Sequence, residues 1–286
     1  MIAATTAARL RPLAADGRDA FPASSRFDPH VANPARVYNL WLGGKDGYRA
    51  DREAAEQVAR CRPQVAAGAR ANRAFLARVV RYLAAKRGIR QFLDIGTGLP
   101  VPGSTHEVAQ AIAPQTRVVY VDNDSQVLSH ARALLTSAPE GACAYVDADV
   151  RTPGDILDQA AQTLNFTRPA AVLLLAILHF ISDADDPSGI VARLAAGLAP
   201  GSFVAISHLT ADLAPEQVAS GVAAYNARVP AEVTARSHAE VTALFGRLSL
   251  VAPAVVPVGE WRPDAGWSAQ SADLYAGVAA TGRWSR

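Results

Sequence analysis

Apolar and polar residues recur along this chain with two different periods. Over 64–87 the period is helical: Phe75, Leu76, Val79, Val80 and Leu83 make one stripe, and Arg73, Arg78, Arg81 and Arg87 fall largely outside it as a solvated face. Upstream, NPARVYNLWLGGKDGYRADREAAEQVAR over 33–60 predicts two short helices pinched around Gly43 and Gly44. From Gln91 the pattern changes. Short runs rich in β-branched and apolar residues at 91–95, 117–121, 143–147, 171–178 and 202–207 alternate with helical segments, which is the pattern of βαβ units and a parallel sheet. Ser104-x-x-Glu107 and Ser237-x-x-Glu240 read as capping boxes, and Leu198-Ala-Pro-Gly201 stops a helix before a strand. Two last strands, near 248–257 and 273–281, are separated by the turn-rich WRPDAGW and should pair antiparallel. Residues 1–28 have no period and predict a mobile tail.

The chain has 286 residues, half of them hydrophobic, enough for a real core. A net charge of +2 with scattered arginines demands no polyanionic partner, so no nucleic acid is expected. Cys61 and Cys143, the only cysteines, are too few for a disulfide framework or a thiolate metal site and fit a reducing compartment. The N-terminus lacks the apolar core of a signal peptide, and AAVLLLAILHFI at 170–181 is too short to span a bilayer as a helix. The expectation is a soluble cytoplasmic protein without a membrane partner; homodimerisation is left open.

The chemistry concentrates in FLDIGTGLPVPGSTHEVAQ, residues 92–110. A strand ending in Asp94-x-Gly96-Thr97-Gly98 and leading into a helix presents backbone N–H groups with no Cβ in a ligand's way. Asp122 follows the second strand, 24 residues after Gly98, where a carboxylate meets ribose hydroxyls. Asp147 and Asp149 close the third strand; an acid there can accept from an adenine amino group while Val150 packs on the ring. Three acids at three successive strand ends point to a nucleoside. Pro100 stands where a dinucleotide fold has its third glycine, and Asp94 is a poor neighbour for phosphate, so a nicotinamide-dependent oxidoreductase is disfavoured. An ammonium and a sulfonium, as in S-adenosyl-L-methionine, suit Asp94 better.

With FLDIGTGLP, THEVAQAIAP, VVYVDND, AILHFI, LAPGSFVAISH and ARVYNLWLGGKDGYRADREAAE, the chain resembles the bacterial S-adenosylmethionine-dependent methyltransferases long grouped as a domain of unknown function. The resemblance implies a class I methyltransferase fold: a Rossmann-like sheet of seven strands, mostly parallel with the last strand antiparallel, over 91–286, and a helical cover or lid over 29–90. It makes Gly96 and Gly98 the glycines that cradle the cofactor, with Asp94 near the methionine amine, Asp122 as the ribose carboxylate and Asn123 beside it. Asp149 and Val150 fall at the adenine, and Ala176 and Ile177 at the backbone after the fourth strand. The Pro100 departure leaves open whether Thr97, Thr105 or His106 touches the ligand.

For the acceptor side, His179 and His208 at strand ends are candidate bases, each balanced by an ordinary structural reading. The block Leu42–Tyr48 is read as a lid that puts Lys45 near the methionine carboxylate and Tyr38, Trp41 or Tyr48 over the acceptor, with Gly43 and Gly44 as hinge; the alternative is a helix-breaking turn. The acidic run at 182–186 is read as a solvated loop and helix cap, not a metal site. LHFI, where amino methyltransferases of DNA carry Asn/Asp-Pro-Pro-Tyr, argues against base methylation. The resulting expectation is a methyltransferase for a small-molecule acceptor; its rival is a non-catalytic S-adenosylmethionine sensor built on the same cradle.

Overall fold

The computed structural model describes residues 28–134, 136–264 and 272–282, so the tail expected over 1–28 lies almost wholly outside the described residues. Three helices come first: α1 (Pro34–Trp41), α2 (Arg49–Cys61) and α3 (Val65–Lys86). Strands and helices then alternate through β1 (Gln91–Ile95), α4 (Thr105–Gln110), β2 (Arg117–Asp122), α5 (Ser125–Leu134), β3 (Ala142–Asp147), α6 (Pro153–Ala160), β4 (Ala171–Leu175), α7 (Pro187–Ala196) and β5 (Phe203–Leu209). The chain ends with α8 (Pro215–Asn226), α9 (His238–Ala243), β6 (Ser249–Leu250), β7 (Val256–Pro257) and β8 (Leu274–Ala280).

The sheet runs β3-β2-β1-β4-β5-β8-β6. β1 to β5 pair in parallel and β8 lies antiparallel against β5. The single strand expected over 248–257 is two fragments on the same edge of β8, Ser249 opposite Ala280 and Val256 opposite Ala276. Between them Pro253 lacks an N–H to donate and Ala254 sits at φ +70°, which breaks the ladder. The sheet is therefore seven positions wide, with the seventh divided.

Alternation along each strand sends successive side chains to opposite faces. Phe92, Val118, Leu173 and Phe203 enter the layer beneath α1, α2, α3 and α8. Leu93, Val119, Leu174 and Val204 enter the layer beneath α6, α7 and α9. The expected arginine face of α3 needs one correction. Arg78 is buried, because the C-terminal segment crosses α3 there and supplies the carbonyls of Trp261 and Val258 as acceptors at 3.0 and 2.7 Å. The buried ring of Trp261 packs edge-on against Phe75 and Tyr82 at the same crossing.

Both capping boxes form, at Ser104/Glu107 and Ser237/Glu240. The apolar run after β4 does not continue as a strand past Leu175: Ala176 takes φ +56° and a 3-10 turn covers Leu178–Phe180. That break lies beside the point where the strand order reverses, between β1 and β4, where open α/β sheets place their ligands.

Candidate functional site

A cavity of about 680 Å³ opens at the carboxyl ends of β1 to β4, roofed by α1, α2, α3 and α8. Asp94, Gly96, Thr97, Gly98, Asp122, Asn123, Asp149, Val150, Ala176 and Ile177 all line it, brought together from the ends of four strands and the loops that follow them. Gly96 and Gly98 lie at φ +74° and +64°, in the left-handed region where Cβ is costly. A Cβ on Gly96 would stand 2.6 Å from Ile177 Cδ1, so that glycine also lets the loop pass under the β4 end. A Cβ on Gly98 meets nothing nearer than Ala35 at 4.0 Å and would instead project into open space.

The three acids differ in setting. Asp94 is buried and accepts from the Thr105 hydroxyl at 2.6 Å; burial raises its carboxyl to about 6, with that hydrogen bond and the charge of Arg73 acting the other way. Asp122 accepts from the backbone N–H of Gly98 at 2.9 Å and of Asp124 at 3.0 Å, and thus fastens the glycine loop to the end of β2. Its carboxyl is likewise raised to about 6 by burial, partly offset by those N–H donors. Asp149 is the most open: it accepts from Asn123 Nδ2 at 3.0 Å and pairs with Arg151 at 3.2 Å.

Ala176 is held in its strained conformation by a relay. Its N–H donates to Ser207 Oγ, which donates to Asn72 Oδ1 at 2.6 Å. Asn72 Nδ2 donates to Tyr38 Oη, which donates to the Ala69 carbonyl. Asn72 is a buried amide that continues the apolar stripe of α3 one turn toward its N-terminus, and sequence reasoning gave it no role. The buried polar residue mid-helix was the available signal.

The other half of the cavity is aromatic and aliphatic. Tyr38, Trp41, His179, Phe180 and Tyr225 form a chain of ring contacts with centroid separations from 4.4 to 6.5 Å, except that Trp41 meets Phe180 only through Tyr225. Val58, Leu76, Leu209 and Val233 fill the remaining wall. The contribution of α8 and the 230–234 segment was not anticipated, because nothing in their local pattern says that α8 folds back over α2.

Several expected site residues lie elsewhere. His208 is fully buried and outside the cavity lining: Nδ1 donates to the Leu209 carbonyl at 2.7 Å, Nε2 accepts from Arg236 at 2.8 Å, and burial depresses it to about 4. Its ring and Arg236, which also holds the carbonyls of Leu178 and Ile181 and pairs with Asp183, pin the turn after β4 to β5. Lys45, Gly43 and Tyr48 are exposed and Gly44 is half-buried, and all four lie outside the cavity lining. Gly43 N–H donates to the Leu40 carbonyl and Gly44 N–H to the Asn39 carbonyl, the Schellman pattern that ends α1. Gly43 supplies φ +89°, and a Cβ on Gly44 would collide with the Asn39 side chain. The pair is a fastened helix cap, and Tyr48 packs outward under the Arg36 guanidinium, 5.3 Å from its ring centroid. Thr105 and His106 face inward to Asp94 and Tyr120. The acidic run is consumed by Arg236, Arg151 and the cap of α7, and among the described residues no group of three His, Cys, Asp or Glu could hold a metal.

The model of the S-adenosyl methyltransferase family matches residues 21–282. The chain belongs to this family. Its cofactor is S-adenosylmethionine. A crystallised DUF574 family protein from Streptomyces avermitilis is 45% identical, covers 90% of this chain and 100% of its own, and superposes with a TM-score of 0.86. A Thermobifida fusca protein provisionally named a methyltransferase is 38% identical over 89% of this chain and 96% of its own, with a TM-score of 0.82. Mitomycin 7-O-methyltransferase, at 19% identity and a TM-score of 0.50 over 89% of this chain and 73% of its own, shares the fold. None of the functionally curated proteins matches.

The cavity of this family member fits that cofactor. Gly98 leaves open the volume its Cβ would occupy, and Asp94 is a buried carboxylate with no cation at ion-pair distance among the described residues, suited to an ammonium. Asp122 lines the cavity beside the glycine loop and brings a second carboxylate to it, suited to a ribose diol.

Proposed function

We propose that this protein transfers the methyl group of S-adenosylmethionine to a small-molecule acceptor in the cytoplasm. The observation that carries this reading is the continuity of the cavity: the carboxylate end and the aromatic end form one space, so a molecule in the aromatic end faces the nucleoside end directly. The acceptor end is roofed by helices and has the dimensions of a metabolite pocket, not of an open groove for a polymer. When bound, the cofactor supplies an electrophilic methyl on a sulfonium. The chain's own part is to position and to exclude water. Asp94 and Asp122 orient the cofactor's two ends, and the Ser207–Asn72–Tyr38 relay keeps the Ala176 backbone rigid beneath the reacting centre.

The test is production of S-adenosylhomocysteine by the purified full-length chain with S-adenosylmethionine and fractionated metabolite extract. Acceptor-dependent product is expected in at least one low-molecular-weight fraction. Tight binding of S-adenosylhomocysteine with no product in any fraction would replace the enzyme by a sensor.

A further inference from the structure

Three arginines line the cavity: Arg62, Arg73 and Arg151. Two of them are already paired. Arg62 meets Asp273 at 2.7 Å, and Arg151 meets Asp149 and Asp185 at 3.2 Å. Arg73, on α3, has no carboxylate at ion-pair distance among the described residues, and its guanidinium makes one hydrogen bond there, Nη2 donating to the Gly103 carbonyl at 3.0 Å. Its side chain is half-buried. Nε and Nη1 have no partner among the described residues and are not among the fully covered polar atoms of the fold, so both donors stay accessible. With Lys45 outside the cavity lining, the methionine carboxylate of the cofactor is left without the cation expected for it.

We propose that Arg73 binds the carboxylate of the cofactor's methionine while Asp94 binds its ammonium, so that the amino-acid end of the ligand bridges the helical cover and the sheet. The assignment rests on the cofactor orientation given above and is independent of the acceptor. Position supports it first. Arg73 shares with Asp94, Thr97 and Gly98 both the wall of the main cavity and a small recess beside it, whereas Arg151 belongs with Asp149 at the adenine side. The charge of Arg73 reaches Asp94, where it opposes the effect of burial, yet the two groups are not in ion-pair contact. A cation and an anion that share a wall without touching suit a ligand that carries both charges on one carbon. The guanidinium fork also matches a carboxylate, to which it can donate from two nitrogens.

The loop that departs from a dinucleotide fold at Pro100 then acquires a task. The peptide joining Gly103 to Ser104 is held from both sides: its N–H donates to Glu107 Oε2 at 3.1 Å and its carbonyl accepts from Arg73. Glu107 is the acid of the capping box that starts α4. The box therefore fixes the carbonyl that holds one nitrogen of Arg73, and the guanidinium is steadied beside Asp94 before a ligand arrives. Arg73 follows Asn72 directly on α3, so the residue that supports the Ala176 backbone and the one that takes the carboxylate are set by the same turn of helix.

The experiment is calorimetry on the full-length protein with S-adenosylhomocysteine and two of its analogues, one lacking only the carboxylate and one lacking only the amino group. The wild type should bind the parent compound about tenfold more tightly than either. Arg73→Gln should weaken S-adenosylhomocysteine about tenfold, while the decarboxylated analogue binds at least as tightly as to the wild type, because a cation that repels its ammonium is gone. That analogue also reports that the variant is folded. Asp94→Asn should do the converse, losing the preference for the amino group and keeping the preference for the carboxylate. A carboxylate preference that survives Arg73→Gln, or an equal loss of both ligands in that variant, would overturn the role of Arg73 and leave the Asp94 orientation standing. An amino-group preference that survives Asp94→Asn would overturn the orientation and the proposal with it.

Discussion

On the function proposed above, Asp122 combines two tasks in one side chain, since the carboxylate assigned to the ribose also accepts the Gly98 N–H that shapes the glycine loop. Asp122→Asn tests them: the amide oxygen can still accept from one of the two backbone N–H groups, Gly98 or Asp124, while the charge and the second acceptor are lost. The expected outcome is a folded protein that binds S-adenosylhomocysteine about tenfold to a hundredfold more weakly by calorimetry. Unchanged affinity would place the ribose elsewhere. Acidity acts on the same side chain and on Asp94. Both carboxyls are raised to about 6 from the ordinary 3.8, so between those values the native state binds more protons than the unfolded chain and unliganded stability falls as pH rises. On the function proposed above, ligand binding runs the opposite way, because an ammonium at Asp94 and a ribose at Asp122 call for charged carboxylates. The thermal shift produced by S-adenosylhomocysteine should therefore be larger at pH 7.5 than at pH 5.5, and a shift that is flat across that range would separate these carboxylates from binding. His179 does not share this titration: burial and the neighbouring His208 and arginines hold it well below its usual range and neutral at pH 7.

The helical cover is fastened to the cofactor side rather than hung from its glycines. Asn33 caps α1 and donates to Asp124, while Arg36 donates to Gln126 and forms a buried ion pair with Asp51 of α2 at 2.7 Å. Asp51 also accepts from the backbone of Asn33 and Tyr48, so the starts of α1 and α2 meet at one carboxylate. Movement of this cover would have to break those contacts before any glycine turned. Lys45→Ala is thus expected to bind S-adenosylhomocysteine within about twofold of the wild type, since the lysine is exposed away from the cavity. Hydrogen exchange across 33–60 is the accompanying measurement. Weaker binding by the variant, together with ligand-dependent protection of that segment, would reinstate the block as a lid.

The cover and the sheet share one hydrophobic layer. Phe75, Val79, Val80 and Leu83 of α3 are fully buried against the face that carries Phe92, Leu173 and Phe203. Each such side chain is worth about 1.5–3 kcal/mol of burial, so removing α3 takes away most of what a domain of this size has to spare. Residues 91–286 expressed alone should lack a cooperative thermal transition and near-ultraviolet dichroism. A sharp transition in that fragment would mean that the sheet is an independent domain. Among the described residues no helix is long and apolar enough to cross a membrane, in keeping with the short apolar run at 170–181, which is split between β4 and the turn after it.

Local physics accounts for what was legible in the chain. Two-residue and 3.6-residue periods, glycines with forced backbone angles, and Ser-x-x-Glu caps are set within a few neighbours, so β1 to β5, α3 and the glycine loop could be read directly, as could the acids that end β1, β2 and β3. Long-range packing decided the rest. His179 and His208 stand at equivalent-looking strand ends, yet Arg236, 28 residues beyond His208, occupies one ring and leaves an atom of the other free. Arg78 lies on the polar side of its helix until a segment 180 residues away covers it with carbonyls. Gly43 and Gly44 announce a break, but whether the break is a hinge or a cap depends on how Asp51 and Asp124 hold the start of α1 at Asn33. The aromatic half of the cavity is the extreme case: its walls come from α1, α2, α3, the β4 turn and α8, so its shape exists only once the helices have closed over the sheet, and no period in the sequence encodes it.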